Sequence, residues 1–127
     1  MSSFVLDSSA VLALIDEEAG ADVVRSVLLD SIISTVNLAE IYTKLDERGG
    51  DGRIAVAAIL GALTAVEPFT EEHARIAGWL RQRTRSYGLS LGDRACIAVA
   101  IASGAEIYTA DSIWGQLDVG CRVHLIR

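Results

Sequence analysis

The sequence predicts an α/β fold of three layers, α/β/α, around a central, mostly parallel sheet. Short apolar or β-branched runs alternate with helical segments from one end of the chain to the other, the pattern of strand–helix–strand units. No repeat, low-complexity tract or linker interrupts them, so residues 1–127 read as one domain. One segment, 94–102, is apolar on nearly every face, which predicts a helix buried on most sides.

The elements follow in order. Phe4-Val5-Leu6 is a short apolar run ending at Asp7 and reads as a buried strand. Ser8 and Ser9 offer N-caps for a helix over 10–16. Gly20 separates it from a helix over about 21–30, with Val23, Val24, Val27 and Leu28 on one face. The β-branched run 31–35 reads as a strand. Asn37 is expected to cap a helix carrying Leu38, Ile41, Tyr42 and Leu45, which stops at Gly49-Gly50. A helix over 53–63 precedes a strand over 65–69, with Pro68 near its end. Thr70-Glu71-Glu72 opens a long helix to about Tyr87, with Gly88 as its C-cap. Asp93 is expected to begin the buried helix. Residues 106–109 form the next strand, 111–117 a short helix or turn, and 122–126 the last strand.

Composition narrows the function. With 51% hydrophobic residues the chain is not disordered, and 127 residues suffice to bury a core without staples. Cys96 and Cys121 are too few for a disulfide framework or a four-thiolate zinc site and read as reduced and buried. No apolar run approaches the ~18 to 20 residues that span a bilayer. Met1-Ser2-Ser3-Phe4 carries no basic leader, so the expected compartment is the cytoplasm. The net charge of −6 disfavours binding nucleic acid through bulk charge. A polyanionic substrate then needs metal ions or a local basic patch, and Arg75, Arg81, Arg83, Arg85 and Arg94 lie close together in sequence. That cluster reads equally as a solvated helix face.

In parallel sheets, ligands bind at the carboxyl ends of the strands. Asp7 closes the first strand, Asp111 lies just past the strand ending at Thr109, Asp93 stands at the start of the buried helix, and Glu40 follows the second strand by one helical turn. Each acid also has a plain structural role open to it. Asp7 and Asp111 can be N-caps, Asp93 can answer the helix dipole, and Glu40 stands four before Lys44, the favourable order for an ion pair. Together, in apolar settings, they call for pairing or a metal, because clustered carboxylates raise one another's pKa. An oxygen-only donor set suits Mg²⁺ or Mn²⁺ and phosphoryl transfer.

The segments Val5-Leu6-Asp7-Ser8-Ser9-Ala10, Asn37-Leu38-Ala39-Glu40-Ile41, Leu91-Gly92-Asp93-Arg94-Ala95-Cys96-Ile97-Ala98 and Tyr108-Thr109-Ala110-Asp111 resemble, in order and across the whole chain, the four motifs of PIN-domain nucleases, most closely the VapC-type toxins of toxin–antitoxin pairs. The resemblance implies a PIN-like fold and a Mg²⁺- or Mn²⁺-dependent endoribonuclease. It also implies an RNA substrate, a homodimer and a cognate antitoxin that inhibits the enzyme. Asp7, Glu40, Asp93 and Asp111 match the family's catalytic and metal-binding acids. Ser9 and Thr109 match its supporting hydroxyls. Some relatives carry a fifth acid soon after the fourth; here those positions are Ser112, Ile113, Trp114 and Gly115, which removes a ligand for a second metal. Arg94, Arg81 and Arg85 are candidate RNA contacts, and Trp79 and Trp114 are either base-stacking or packing residues. His73 and His124 read as structural. The alternative is a catalytically silent PIN-like module that binds protein or RNA.

Overall fold

The computed structural model describes residues 3–50 and 52–127. Met1 and Ser2, on which the reading of a missing leader rests, lie outside the described residues. Among the described residues five strands form one sheet: β1 (Phe4–Leu6), β2 (Ser31–Ser34), β3 (Ala65–Glu67), β4 (Glu106–Thr109) and β5 (Val123–Leu125). Their order is β3-β2-β1-β4-β5, and every pairing is parallel. The chain thus builds outward from β1 to one side, then returns to β1 and builds to the other. In sheets of this kind such a reversal point, at the carboxyl ends of the central strands, is where ligands bind.

Among the described residues six helices cover the sheet: α1 (Ser8–Ile15), α2 (Ala21–Val27), α3 (Thr35–Glu47), α4 (Arg53–Ala62), α5 (Glu71–Arg83) and α6 (Leu91–Ser103). Side chains alternate across a strand, so β1 and β2 split their residues between two cores. Val5, Ile32 and Ile107 face α5 and α6, with Ile76, Leu80 and Ile97. Leu6 and Ile33 face α1 to α4, with Val11, Val24, Ile41, Val56 and Ile59. The three layers expected from the sequence are therefore present. Residues 92 and 95–100 of α6 are all buried, as its apolar surface requires.

Helix starts and ends differ from expectation for local reasons. Asp7, not Ser8 or Ser9, caps α1 by accepting from Ala10 N. Ser34, not Asn37, caps α3. Ser90, not Asp93, caps α6, and Asp93 sits in its first turn. In each case a capping oxygen stands earlier in the chain and satisfies an orphan N–H first. β3 ends at Glu67, ahead of Pro68, which has no N–H for a ladder. α5 ends at Arg83 and passes through a 3-10 turn, Arg85–Tyr87, to Gly88 at φ 65°. Gly20 has φ +96°, and a Cβ there would lie 2.7 Å from Ile126, so only glycine fits.

Candidate active site

β1 and β4 are neighbours, with Leu6 opposite Tyr108. Asp7 therefore emerges beside Thr109, and Asp111 two residues further along the same edge. Two hydroxyls tie these ends together. Thr109 Oγ1 donates to Asp7 Oδ2 at 2.7 Å and accepts from Asp111 N at 3.1 Å. Ser9 Oγ donates to Asp7 at 2.8 Å and accepts from Ala110 N at 2.9 Å. The two hydroxyls lie 3.2 Å apart. Asp7 is 4% exposed. Burial pushes its carboxyl up to about 6 against the pull of Thr109, Ala10 and Ser9, and the charge of Asp93 adds to the rise.

The other acids come from the helices. Asp93 Oδ2 accepts from Ser90 N at 2.9 Å while Ser90 Oγ accepts from Asp93 N, a capping box at the start of α6. Asp111 caps the 3-10 turn Ser112–Gln116 through Ile113 N. Glu40 Oε1 accepts from Asn37 Nδ2 at 2.8 Å, and its carboxylate lies against Gly92, where a Cβ would collide with it. Glu40, Asp93 and Asp7 all face the buried Cys96 thiol closely enough to raise it, after burial itself. Among the described residues, no Lys or Arg forms an ion pair with any of these four acids.

The ion pair open to Glu40 and Lys44 does not form, and Glu40 turns inward to Asn37. Asp7 and Asp111 do act as N-caps, and Asp93 does occupy a helix start. These roles take only part of each side chain: Asp93 Oδ1, Asp111 Oδ2 and Glu40 Oε2 accept no hydrogen bond among the described residues. The four acids nevertheless do not close into one cluster. Among the described residues, no three of His, Cys, Asp and Glu stand together as a metal-binding group. Glu40, Asp93 and Asp111 each accept from a donor within three residues, whereas Asp7 also accepts from Thr109 across the sheet edge. In chemistry the donor set fits a hard divalent cation: it is all oxygen, no cation among the described residues pairs with it, and one member is buried.

Residues 4–120 match the PIN domain family. The chain belongs to that family. Solved structures similar to this PIN domain include a toxin–antitoxin complex from Klebsiella pneumoniae, at 18% identity, 98% coverage of each chain and a TM-score of 0.76. A DNA-bound VapBC from Salmonella typhimurium has 18% identity over 100% of both chains and a TM-score of 0.76. VapC20 of Mycobacterium tuberculosis, described as a sarcin–ricin loop cleaving toxin, has 25% identity over 94% of this chain and 99% of its own, with a TM-score of 0.73. Comparison with curated proteins finds no match.

The remaining candidates of this PIN domain divide between exposed and packed positions. Arg81 lies in the last turn of α5 and Arg85 in the 3-10 turn between α5 and α6; both are exposed. Arg94 is half-buried, and its Nη1 donates to Ala77 O at 2.9 Å, bracing α6 against α5 rather than reaching out. Trp114 is fully buried among core residues. Trp79 is 50% exposed, and the Arg83 guanidinium lies 3.8 Å over its ring. His73 completes the capping box of α5 with Thr70. His124 stacks on Tyr108 and meets Glu106 at 2.7 Å. Cys96 is buried, while Cys121 is only half-buried; both are free. Asn37, expected to cap α3, instead donates to Glu40 within its own helix and to Gly92 O, 55 residues away, a partner that no local pattern announces.

Proposed function

We propose that this PIN domain, read as a single domain over residues 1–127, is a Mg²⁺- or Mn²⁺-dependent endoribonuclease. The observation that carries the reading is the set of four uncompensated acids at the carboxyl edge of the central strands, one of them buried and bound by two hydroxyls. Asp7, Asp93 and Asp111 would hold the ion, and Glu40 would complete the site as ligand or orient the attacking water. The bound cation would make water acidic enough to attack phosphorus at neutral pH and would offset charge on the phosphate. Ser9 and Thr109 fix the Asp7 carboxylate so that its oxygens do not rotate away. Arg81 and Arg85 would hold RNA phosphates; Arg94, committed to Ala77 O, serves packing better than RNA.

We further propose that the chain is the toxin of a toxin–antitoxin pair, acting in the cytoplasm as a homodimer and inhibited by its antitoxin. The support is the described nature of the similar structures from Klebsiella, Salmonella and Mycobacterium. Leu29 and Ile54, 73% and 86% exposed, are apolar side chains of the kind a protein partner covers. No helix among the described residues is long and apolar enough to cross a membrane.

The second reading is a silent PIN-like module that binds protein or RNA, in which each acid keeps only the hydrogen-bonding role it has here. One experiment separates the two. Purified protein is incubated with total cellular RNA, with and without Mg²⁺ or Mn²⁺, beside Asp93→Asn, and fragment ends are sequenced. Asn keeps the oxygen that accepts from Ser90 N, so the helix start survives the change. Discrete cuts lost in EDTA and in Asp93→Asn are expected. A folded wild type that leaves the RNA whole with either metal refutes the nuclease and leaves the silent module.

A further inference from the structure

We infer that Asn37 is a positioning residue that holds Glu40 in register with the start of α6; the inference rests on the nuclease reading above. Asn37 is 1% exposed, which is unusual for a polar side chain in the first turn of a helix. It spends both amide hydrogens on the site. One goes to Glu40 Oε1 at 2.8 Å and the other to Gly92 O at 3.0 Å. Both partners are pure acceptors, so they fix which way round the amide sits. That orientation leaves Asn37 Oδ1 buried with no partner. A side chain with only a packing role would not be kept at such a cost.

The second half of the device is Gly92. The Glu40 carboxylate occupies the space where any other residue would place its Cβ. Asn37 thus pulls Glu40 toward α6 and Gly92 lets it arrive, one residue from Asp93. An ionised acceptor strengthens the Asn37 bond. The same amide bridges two helices, so Glu40 cannot swing outward along α3 to Lys44 without breaking it. Outer partners that orient ligating side chains typically matter by about 10- to 100-fold in activity or metal affinity.

The test is a double-mutant cycle on the purified full chain. Single-turnover cleavage of RNA in Mn²⁺ is measured for wild type, Asn37→Ala, Glu40→Ala and the double variant. Thermal melts confirm that each folds. Asn37→Ala is expected to slow cleavage about 10- to 100-fold and to add less than about twofold in the Glu40→Ala background, because residues acting through one group are not additive. Gly92→Ala, which pushes Glu40 from the other side, is expected to behave the same way and covers the case of Asn37→Ala failing to fold. A readout free of activity comes from ¹⁵N NMR of the metal-free protein: the Asn37 side-chain amide pair should shift in Glu40→Ala. Unchanged cleavage by folded Asn37→Ala, an equal loss in both backgrounds, or an unmoved amide overturns the role. A wild type that cuts no RNA overturns the nuclease reading itself and the role with it.

Discussion

Asp7 shows most directly what the site costs the fold. Its carboxyl rises from an ordinary value of about 3.9 to about 6, chiefly because burial disfavours the charged form. The folded protein therefore binds that proton more tightly than the unfolded chain. The resulting stability is full below about pH 4 and is lost as pH rises through about 6. A shift of about two units corresponds to about 3 kcal/mol. Asp7→Asn, neutral at every pH and still able to accept from Ala10 N, should escape this loss. In urea with EDTA, its unfolding midpoint is expected above wild type at pH 8, with the advantage gone at pH 4. The other acids titrate in both proteins, so the difference isolates Asp7. A gap between the two that stays constant from pH 4 to pH 8 would show that Asp7 carries no such penalty. A buried charge retained at that cost is consistent with a functional carboxylate.

At the scale of elements, the order and type of helices and strands were legible because periodicity reports local burial. Their first residues were less so. Three helix starts each offer more than one Ser, Asn or Asp within four residues, and only backbone geometry decides which one caps. The Ser90–Asp93 capping box is the instructive case: Asp93 reads as the start of α6 because the acid is conspicuous, while Ser90 does the capping. Ser90→Ala should cost about 1 kcal/mol, the usual loss for an N-cap. Asp93 keeps its bond to the backbone N–H of residue 90, so the acid stays near its place. Urea unfolding should show a lower midpoint with an unchanged slope, and RNA cleavage should persist at a temperature where the variant is folded. Loss of cleavage without loss of stability would mean that the serine hydroxyl itself serves the reaction.

For the whole molecule, the deciding fact is strand order, which no local pattern encodes. Placing β1 at the centre sets Asp7 beside Thr109 and Asp111, 102 residues and more along the chain. The acids themselves could be named from their positions after strands and at helix starts. Which donors each carboxylate takes was less legible, because Thr109 reaches Asp7, and Gly92 meets the Asn37 that holds Glu40, only once the chain is folded. This arrangement concentrates negative charge at one edge of a chain that already carries −6. A divalent cation that binds there should stabilise the fold as any native-state ligand does, by about 2.7 kcal/mol at 100 times its Kd. For a domain of this size that is a rise in Tm of about 10 °C. Screening alone would also relieve the repulsion, so KCl at matched ionic strength is the control. Mg²⁺ should raise the Tm of wild type well beyond KCl, and that excess should shrink in Asp93→Asn. Equal effects of the two salts would mean that the acids repel one another without forming a site, and the edge would then be a surface for a cationic partner rather than for a metal.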